Sequence, residues 1–179
     1  MSTSRIGIVI SSTRPTRIGH KVADWIAAQA PEGVEVEIVD LRDVDLPFLA
    51  EPKQPSQGDY ELETTRAWSR RIQEFDGLVV AVAEYNGGAT AVLKNAIDSL
   101  YAEWEGLPIG LVGYGWGAGA RAVAGLEPVL DTVKAERIVG PGLTFTEHLS
   151  PEGKILDGAP ADEVRELFTQ VVDRIRVNA

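Results

Sequence analysis

The sequence predicts an α/β fold: a doubly wound parallel sheet of five strands with helices on both faces. Three observations predict it. Short apolar runs rich in β-branched residues alternate with amphipathic helical patterns along the chain, as repeated strand–helix units do. The most hydrophobic run, Gly77–Ala83, falls mid-chain and reads as a central strand buried on both faces. The run Val34–Asp40 instead alternates apolar and acidic residues, as an edge strand with one solvated side does. This pattern suits strand order 2-1-3-4-5, with all 179 residues in one domain (1–179).

Each element follows from its own residues. Arg5–Ser11 (RIGIVIS) is the first strand, and Arg17–Ala30 a helix with Val22, Trp25, Ile26 and Ala30 on one face. Val34–Asp40 is the second strand. Leu41–Asp59 carries Pro47, Pro52 and Pro55 and reads as a long irregular segment that lines a site. Tyr60–Phe75 is a helix, Gly77–Ala83 the third strand and Thr90–Trp104 a helix. Leu107–Gly113 is the fourth strand, Gly119–Lys134 a helix and Arg137–Phe145 the fifth strand. Ser150–Gly153 (SPEG) marks a turn, with a small hairpin as one outcome. Pro160–Val177 closes the chain as a helix with Val164, Leu167, Phe168, Val171, Val172 and Ile175 on its apolar face.

In such a sheet, ligands bind at the carboxyl ends of the strands near the point where strand order reverses. Three loops leave those ends: Ser11–Ile18, Glu84–Ala89 and Tyr114–Gly119. The first, SSTRPTRIG, offers hydroxyls from Ser11, Ser12, Thr13 and Thr16, guanidinium groups from Arg14 and Arg17, and the amides that open a helix. Those are the donors that hold a phosphate. It is not a P-loop, because Gly19-His20-Lys21 lacks the Gly-Lys-Ser/Thr ending. An ordinary polar loop with Thr16 as helix cap is the plainer alternative.

In the second loop, Gly87-Gly88 lets the backbone approach a flat ligand, while Asn86 can read donors and acceptors and Tyr85 can flank a ring. A plain Asn-Gly-Gly turn, with Glu84 as a solvated acid, is the alternative. The third loop, GYGWGAGAR, fits a relaxed dinucleotide pattern at Gly113, Gly115 and Ala118. The acid that should support it is misplaced, since Glu147 lies too far on. The plainer reading is a floppy or tightly turned loop that lets backbone approach a ring, with Tyr114 and Trp116 adding aromatic surface.

Several chemistries are excluded. The chain has no cysteine, so it has no disulfide, thiolate metal site, iron–sulfur cluster or catalytic thiol. Its two histidines, His20 and His148, stand far apart in sequence, and no hydrolase or metalloprotease motif is present. The expectation is no catalytic side chain and no metal, with a bound cofactor supplying the reactivity. Lys and Arg number 17 against 27 Asp and Glu, a net charge of −10. That balance argues against nucleic-acid and membrane-surface partners. MSTSRIGIVI lacks the pattern of a secretory signal, which suits a cytoplasmic protein.

Taken together, the three loops resemble those of the NADPH-dependent FMN reductases of the flavodoxin-like superfamily, whose relatives include quinone, azo-dye and chromate reductases. SSTRPTRIGHKVADW is similar to that family's Gly-Ser-x-Arg phosphate loop and helix. AEYNGGATAVLKNAIDSLYAEW is similar to its Pro-Glu-Tyr-Asn-Gly segment and following helix, and GYGWGAGARAV to its Tyr-Gly-Gly-x-x-Gly-x-Arg-Ala loop. The resemblance implies a flavodoxin-like fold, FMN as cofactor and NADPH or NADH as co-substrate. It implies that Ser12, Thr13, Arg14, Arg17, Ile18 and Gly19 surround the FMN phosphate. Glu84, Tyr85, Asn86 and Gly87 would meet the isoalloxazine edge, and Tyr114, Gly115 and Gly119 would border the ring. It also implies ping-pong hydride transfer to a small-molecule acceptor. A homodimer or homotetramer is implied too, with the helix containing Leu93–Trp104 at an interface.

The chain departs from the family pattern at four places. Ala83 stands where proline is usual, Ser11 where glycine is common, Arg17 where many relatives have a small hydroxyl residue, and Leu107 where lysine is frequent. One alternative function shares the cofactor: an electron carrier with no substrate pocket, whose acidity would suit docking on a basic partner. A phospho-receiver is disfavoured, because it would want acids after the first strand, where this chain has Ser and Arg.

Overall fold

The computed structural model describes residues 3–178. Its sheet contains β1 (Ser4–Ile10), β2 (Val34–Asp40), β3 (Gly77–Tyr85), β4 (Gly88–Ala89), β5 (Pro108–Gly115) and β6 (Glu136–Thr144). Five of them run parallel in the order β2-β1-β3-β5-β6, while β4 pairs antiparallel with β3. The expected five-stranded sheet is thus corrected to six. The physical cause lies at Asn86-Gly87, whose φ values of 52° and 81° are both positive. That pair makes a two-residue hairpin turn, which folds Gly88 back onto Tyr85 and Ala89 onto Glu84.

The α-helices are α1 (Gly19–Ala27), α2 (Leu41–Val44), α3 (Glu63–Ile72), α4 (Ala91–Asp98), α5 (Ala120–Thr132) and α6 (Ala161–Asn178). Most are shorter than the sequence pattern suggested, because their ends close in tighter turns. Thr90 caps α4, its hydroxyl accepting from the Leu93 amide at 3.3 Å. The stretch expected to be wholly irregular begins with α2, capped by the Asp40 carboxylate, and holds a short 3-10 turn at Pro55–Gln57. The expected turn at Ser150–Gly153 is present, and Leu149 bridges to Ile155 around it.

Alternation along β3 divides the core between the two faces of the sheet. Val79 and Ala81 pack with Ile6, Ile8, Val22, Ile26, Leu167 and Phe168 under α1 and α6. Leu78, Val80 and Val82 pack with Trp68, Leu93, Ile97, Leu126 and Leu130 under α3, α4 and α5. On that second face the buried indoles of Trp68 and Trp104 donate to the carbonyls of Ala96 and Ile97 at 3.0 and 2.9 Å. The doubly covered sheet leaves the carboxyl ends of β1, β3 and β5 together at one edge of the molecule. No helix among the described residues is long and apolar enough to cross a membrane.

Candidate functional site

The loop after β1 is fixed from beneath by Ser11. Its fully buried hydroxyl donates to the Ala81 carbonyl at 2.8 Å and accepts from the Ala83 amide at 2.9 Å. The side chain thereby continues the β1–β3 ladder one residue past the last backbone pair, Ile10 with Ala81. The Ser11 carbonyl accepts from the Thr90 hydroxyl at 2.7 Å, which ties the same loop to the start of α4.

Above this anchor, α1 opens with Ile18 at the cap position and no side-chain cap, so Thr16 does not fill that role. The positive end of α1 stays available to an external acceptor. Two hydroxyls point at the same place. Ser12 Oγ and Tyr114 Oη are buried, and neither has a hydrogen-bond partner of good geometry among the described residues. Burial pushes the Tyr114 phenol up to about 12, with the Ser12 hydroxyl opposing the shift. Gly19 keeps this space open. A Cβ there would lie 2.2 Å from Ser12 Oγ and 2.9 Å from Tyr114 Oη.

The two arginines of the loop part company. Arg14 is exposed and makes no ion pair or side-chain hydrogen bond among the described residues. Arg17 turns away to the end of β2. Its guanidinium grips both Asp40 oxygens at 2.5 Å and donates to the Ser12 carbonyl at 2.9 Å. The Asp40 bond holds its pKa above the ordinary arginine value. Arg17 therefore shapes the loop, and Arg14 carries its free charge. The Tyr85 hydroxyl accepts from the Thr13 and Arg14 amides at 3.3 and 3.4 Å, so that ring lies across the loop from the end of β3.

Glu84 is no solvated acid. Its side chain is 11% exposed and accepts from the Arg121 amide at 3.2 Å, from Nε at 3.1 Å and from Nη2 at 2.8 Å. The contact staples β3 to the first turn of α5 and holds the Arg121 guanidinium beside Gly87. Asn86 stays exposed at the turn. In the loop after β5, Gly119 has φ +70° and a Cβ there would lie 2.6 Å from the Tyr114 amide, so only glycine allows so tight a return.

These three loops enclose an open cleft of about 1190 Å³, above the range of roughly 300–1,000 Å³ that suits a drug-sized ligand. Of the expected site residues, Ser12, Arg14, Arg17, Ile18, Glu84, Tyr85, Asn86, Gly87, Tyr114 and Gly115 line it. Gly19 is buried just behind the wall, Gly119 turns the backbone, and Thr13 presents its amide to Tyr85. Nothing between Leu41 and Asp59 reaches the cleft, which corrects the expectation for that segment. Asn95 instead holds it against α4, accepting from the Leu49 amide at 3.0 Å and donating to the Leu46 and Pro47 carbonyls.

Residues that sequence reasoning missed complete the walls: Lys21, Arg121, Phe145, Pro151 and Glu152. Arg121 closes the glycine-rich motif and was legible there. Phe145 and Pro151 belong to the segment after β6, whose packing over α1 has no local signal. His148 is structural, its Nδ1 accepting from the Thr144 amide at 3.1 Å. No cluster of His, Asp or Glu suited to a metal occurs among the described residues. The cleft offers anion donors at one end and flat backbone with aromatic edges at the other.

Residues 4–148 match the model of the family described as NADPH-dependent FMN reductase. An NAD(P)H-dependent FMN reductase of Schizosaccharomyces pombe is 33% identical over 168 residues, covering 82% of this chain and 84% of that one. A 2-hydroxy-1,4-benzoquinone reductase from a Burkholderia species is 30% identical over 125 residues, covering 67% of this chain and 65% of that one. Among solved structures, the flavoenzyme NAD(P)H:acceptor oxidoreductase of Paracoccus denitrificans superposes with a TM-score of 0.73 at 24% identity, covering 97% and 98% of the two chains. Megasphaera elsdenii flavodoxin superposes with a TM-score of 0.55 at 16% identity, covering 94% and 98%, which marks the fold as flavodoxin-like. With the motif-bearing loops gathered at one cleft and the match spanning most of its length, the chain belongs to the NADPH-dependent FMN reductase family of oxidoreductases.

Proposed function

We propose that this chain holds FMN in the cleft and transfers reducing equivalents from NADPH or NADH to a quinone, flavin, azo compound or similar small acceptor. One observation carries the reading. Two buried, unpartnered hydroxyls, Ser12 and Tyr114, sit under an uncapped helix N-terminus with Arg14 free beside them. Donors in that state need an acceptor, because a buried polar group without a partner costs about 1–3 kcal/mol. A phosphate supplies several oxygens, and the positive helix end favours its charge.

The residues present fit the cofactor. Ser12, Arg14, Ile18, Gly19 and the Thr13 amide would hold the phosphate, the amide by exchanging Tyr85 for it. Arg17 would act through the loop it braces. Tyr85, Asn86 and Gly87 would meet one edge of the ring through their backbone, with Glu84 fixed by Arg121 behind them. Tyr114, Gly115 and Gly119 would border the other edge. When bound there, FMN would supply the hydride-transfer chemistry that links NAD(P)H to the acceptor. The protein supplies position, a rigid backbone edge and the exclusion of water from one ring face. The size of the cleft supports an enzyme over an electron carrier, since there is room for a second flat molecule beside the cofactor.

Assembly as a homodimer or homotetramer belongs to the same proposal, with a change in its surface. Leu93, Ile97, Leu100 and Trp104 are buried in the chain's own core, so they are not free to meet a partner. The outer face of α4 offers Ala91 and Lys94, beside Phe48 and Leu49, which are 77% and 42% exposed. Light scattering of the purified protein tests the assembly. FMN titration followed by quinone-dependent NAD(P)H oxidation tests the function. No quenching of flavin fluorescence at micromolar protein would defeat it, and binding without pyridine-nucleotide oxidation would return the carrier.

A further inference from the structure

The aromatic rim of the cleft has a feature that the cofactor contacts proposed above leave unassigned. Trp116 is 72% exposed, yet it belongs to the wall. Its ring meets Phe145 edge-on, with centroids 5.3 Å apart and planes at 79°. That contact orients the indole from one side and leaves a broad face open. The indole N–H makes no hydrogen bond among the described residues. A large aromatic ring in the wall of a concave cleft, packed on a second aromatic ring while the chain's other three tryptophans are partly or wholly buried, points to a ligand. The loop pattern quoted above has glycine at this place, so the ring is an addition to the turn.

We propose that Trp116, held by Phe145, is the stacking platform for a planar aromatic electron acceptor of the quinone class. The inference rests on the functional reading above and deepens it. Offset stacking on the open face supplies affinity, and the free N–H can donate to a carbonyl oxygen of the acceptor. The acceptor is favoured over the pyridine nucleotide because the names of the relatives reported for this chain give different acceptors, FMN in one and a benzoquinone in another. A side chain added to a common loop is suited to the variable partner.

The test uses FMN-loaded wild type and Trp116→Gly, assayed with 1,4-naphthoquinone, with ferricyanide as a non-aromatic oxidant, and with NADPH varied. Trp116→Gly should lower kcat/KM for the quinone about tenfold, chiefly through KM, and leave ferricyanide turnover and the KM for NADPH within about twofold. Trp116→Phe should recover most of the loss. Equal losses with both oxidants, a change confined to NADPH, or an unaltered quinone KM would each overturn the platform. A binding readout separates this inference from the functional reading. Naphthoquinone added to the protein without NADPH should, after correction for its own absorbance, quench the tryptophan emission of wild type more strongly and at lower concentration than that of Trp116→Gly, whether or not FMN is present. Failure to bind FMN would sink the functional reading alone, whereas identical quenching in the two proteins would sink the platform alone.

Discussion

Ser11 and Ala83 should be energetically coupled, and the coupling has a definite sign. Both depart from the family's usual residues, and the structure joins them: the Ala83 amide donates to Ser11 Oγ at 2.9 Å in a fully buried place. Ser11→Gly removes that acceptor and the hydrogen bond to the Ala81 carbonyl. A stranded buried N–H costs about 1–3 kcal/mol and the second bond contributes about 1 kcal/mol, so a loss of about 3 kcal/mol is expected. For a chain of this length that corresponds to a fall in Tm of about 6–12 °C. Ala83→Pro alone should also destabilise, because the proline ring would press on Ser11 Oγ. Together the two changes relieve each other. Proline has no N–H to strand, and glycine has no Oγ to meet the ring. The Ala83 N–H faces past the end of β1, so its loss breaks no backbone ladder bond. Urea unfolding of the four proteins should show the double variant about 2 kcal/mol more stable than the sum of the singles. Additivity within about 0.5 kcal/mol would refute the coupling.

Three further outcomes are expected. Arg14→Ala should weaken FMN binding by about 1.5–3 kcal/mol, or roughly 10- to 150-fold in Kd, and an unchanged titration would remove Arg14 from the phosphate site. Gly19→Ala would drive a Cβ against Ser12 Oγ and Tyr114 Oη, so it should cost about 1–3 kcal/mol of stability and abolish flavin binding. Full FMN affinity in that variant would show that the space above Gly19 is not used. Finally, Arg71 and then Arg5 hold Glu37 below its ordinary pKa. A depressed carboxylate stabilises the fold above its unfolded pKa and loses that contribution as pH falls through the lower folded value. Acid titration of stability should therefore be shallower below about pH 4.5 in Glu37→Gln than in wild type, and superimposable curves would contradict the assignment.

The parallel strands and their order were readable because each alternates with a helix whose apolar face is plain in the sequence. The sixth strand has no pattern of its own in the sequence, since it is two residues long, and Asn86-Gly87 marks only the hairpin turn that precedes it. The cleft's location followed from topology. The division of labour within it did not: Arg14 and Arg17 look alike in a string, and only the proximity of Asp40, 23 residues further along the chain, separates them. Glu84 likewise looks like a solvated acid until α5 brings Arg121 to it. The proline spacing after Leu41 marks that segment as irregular and says nothing about the direction in which it packs. Asn95 decides that.

The cations gathered at the cleft have a consequence for binding kinetics. The chain as a whole carries −10, and NAD(P)H is itself a polyanion, so the two repel at long range. At physiological salt the Debye length is about 8 Å, and an approaching molecule then senses mainly the entrance, where Arg14 and Lys21 outweigh Glu152 and where Arg121 is paired with Glu84. In dilute buffer it senses the acidic surface first. Added salt should accordingly speed the encounter while loosening the final grip on phosphate. The association and dissociation rates would both rise with ionic strength, the reverse in association of what an electrostatically steered enzyme shows.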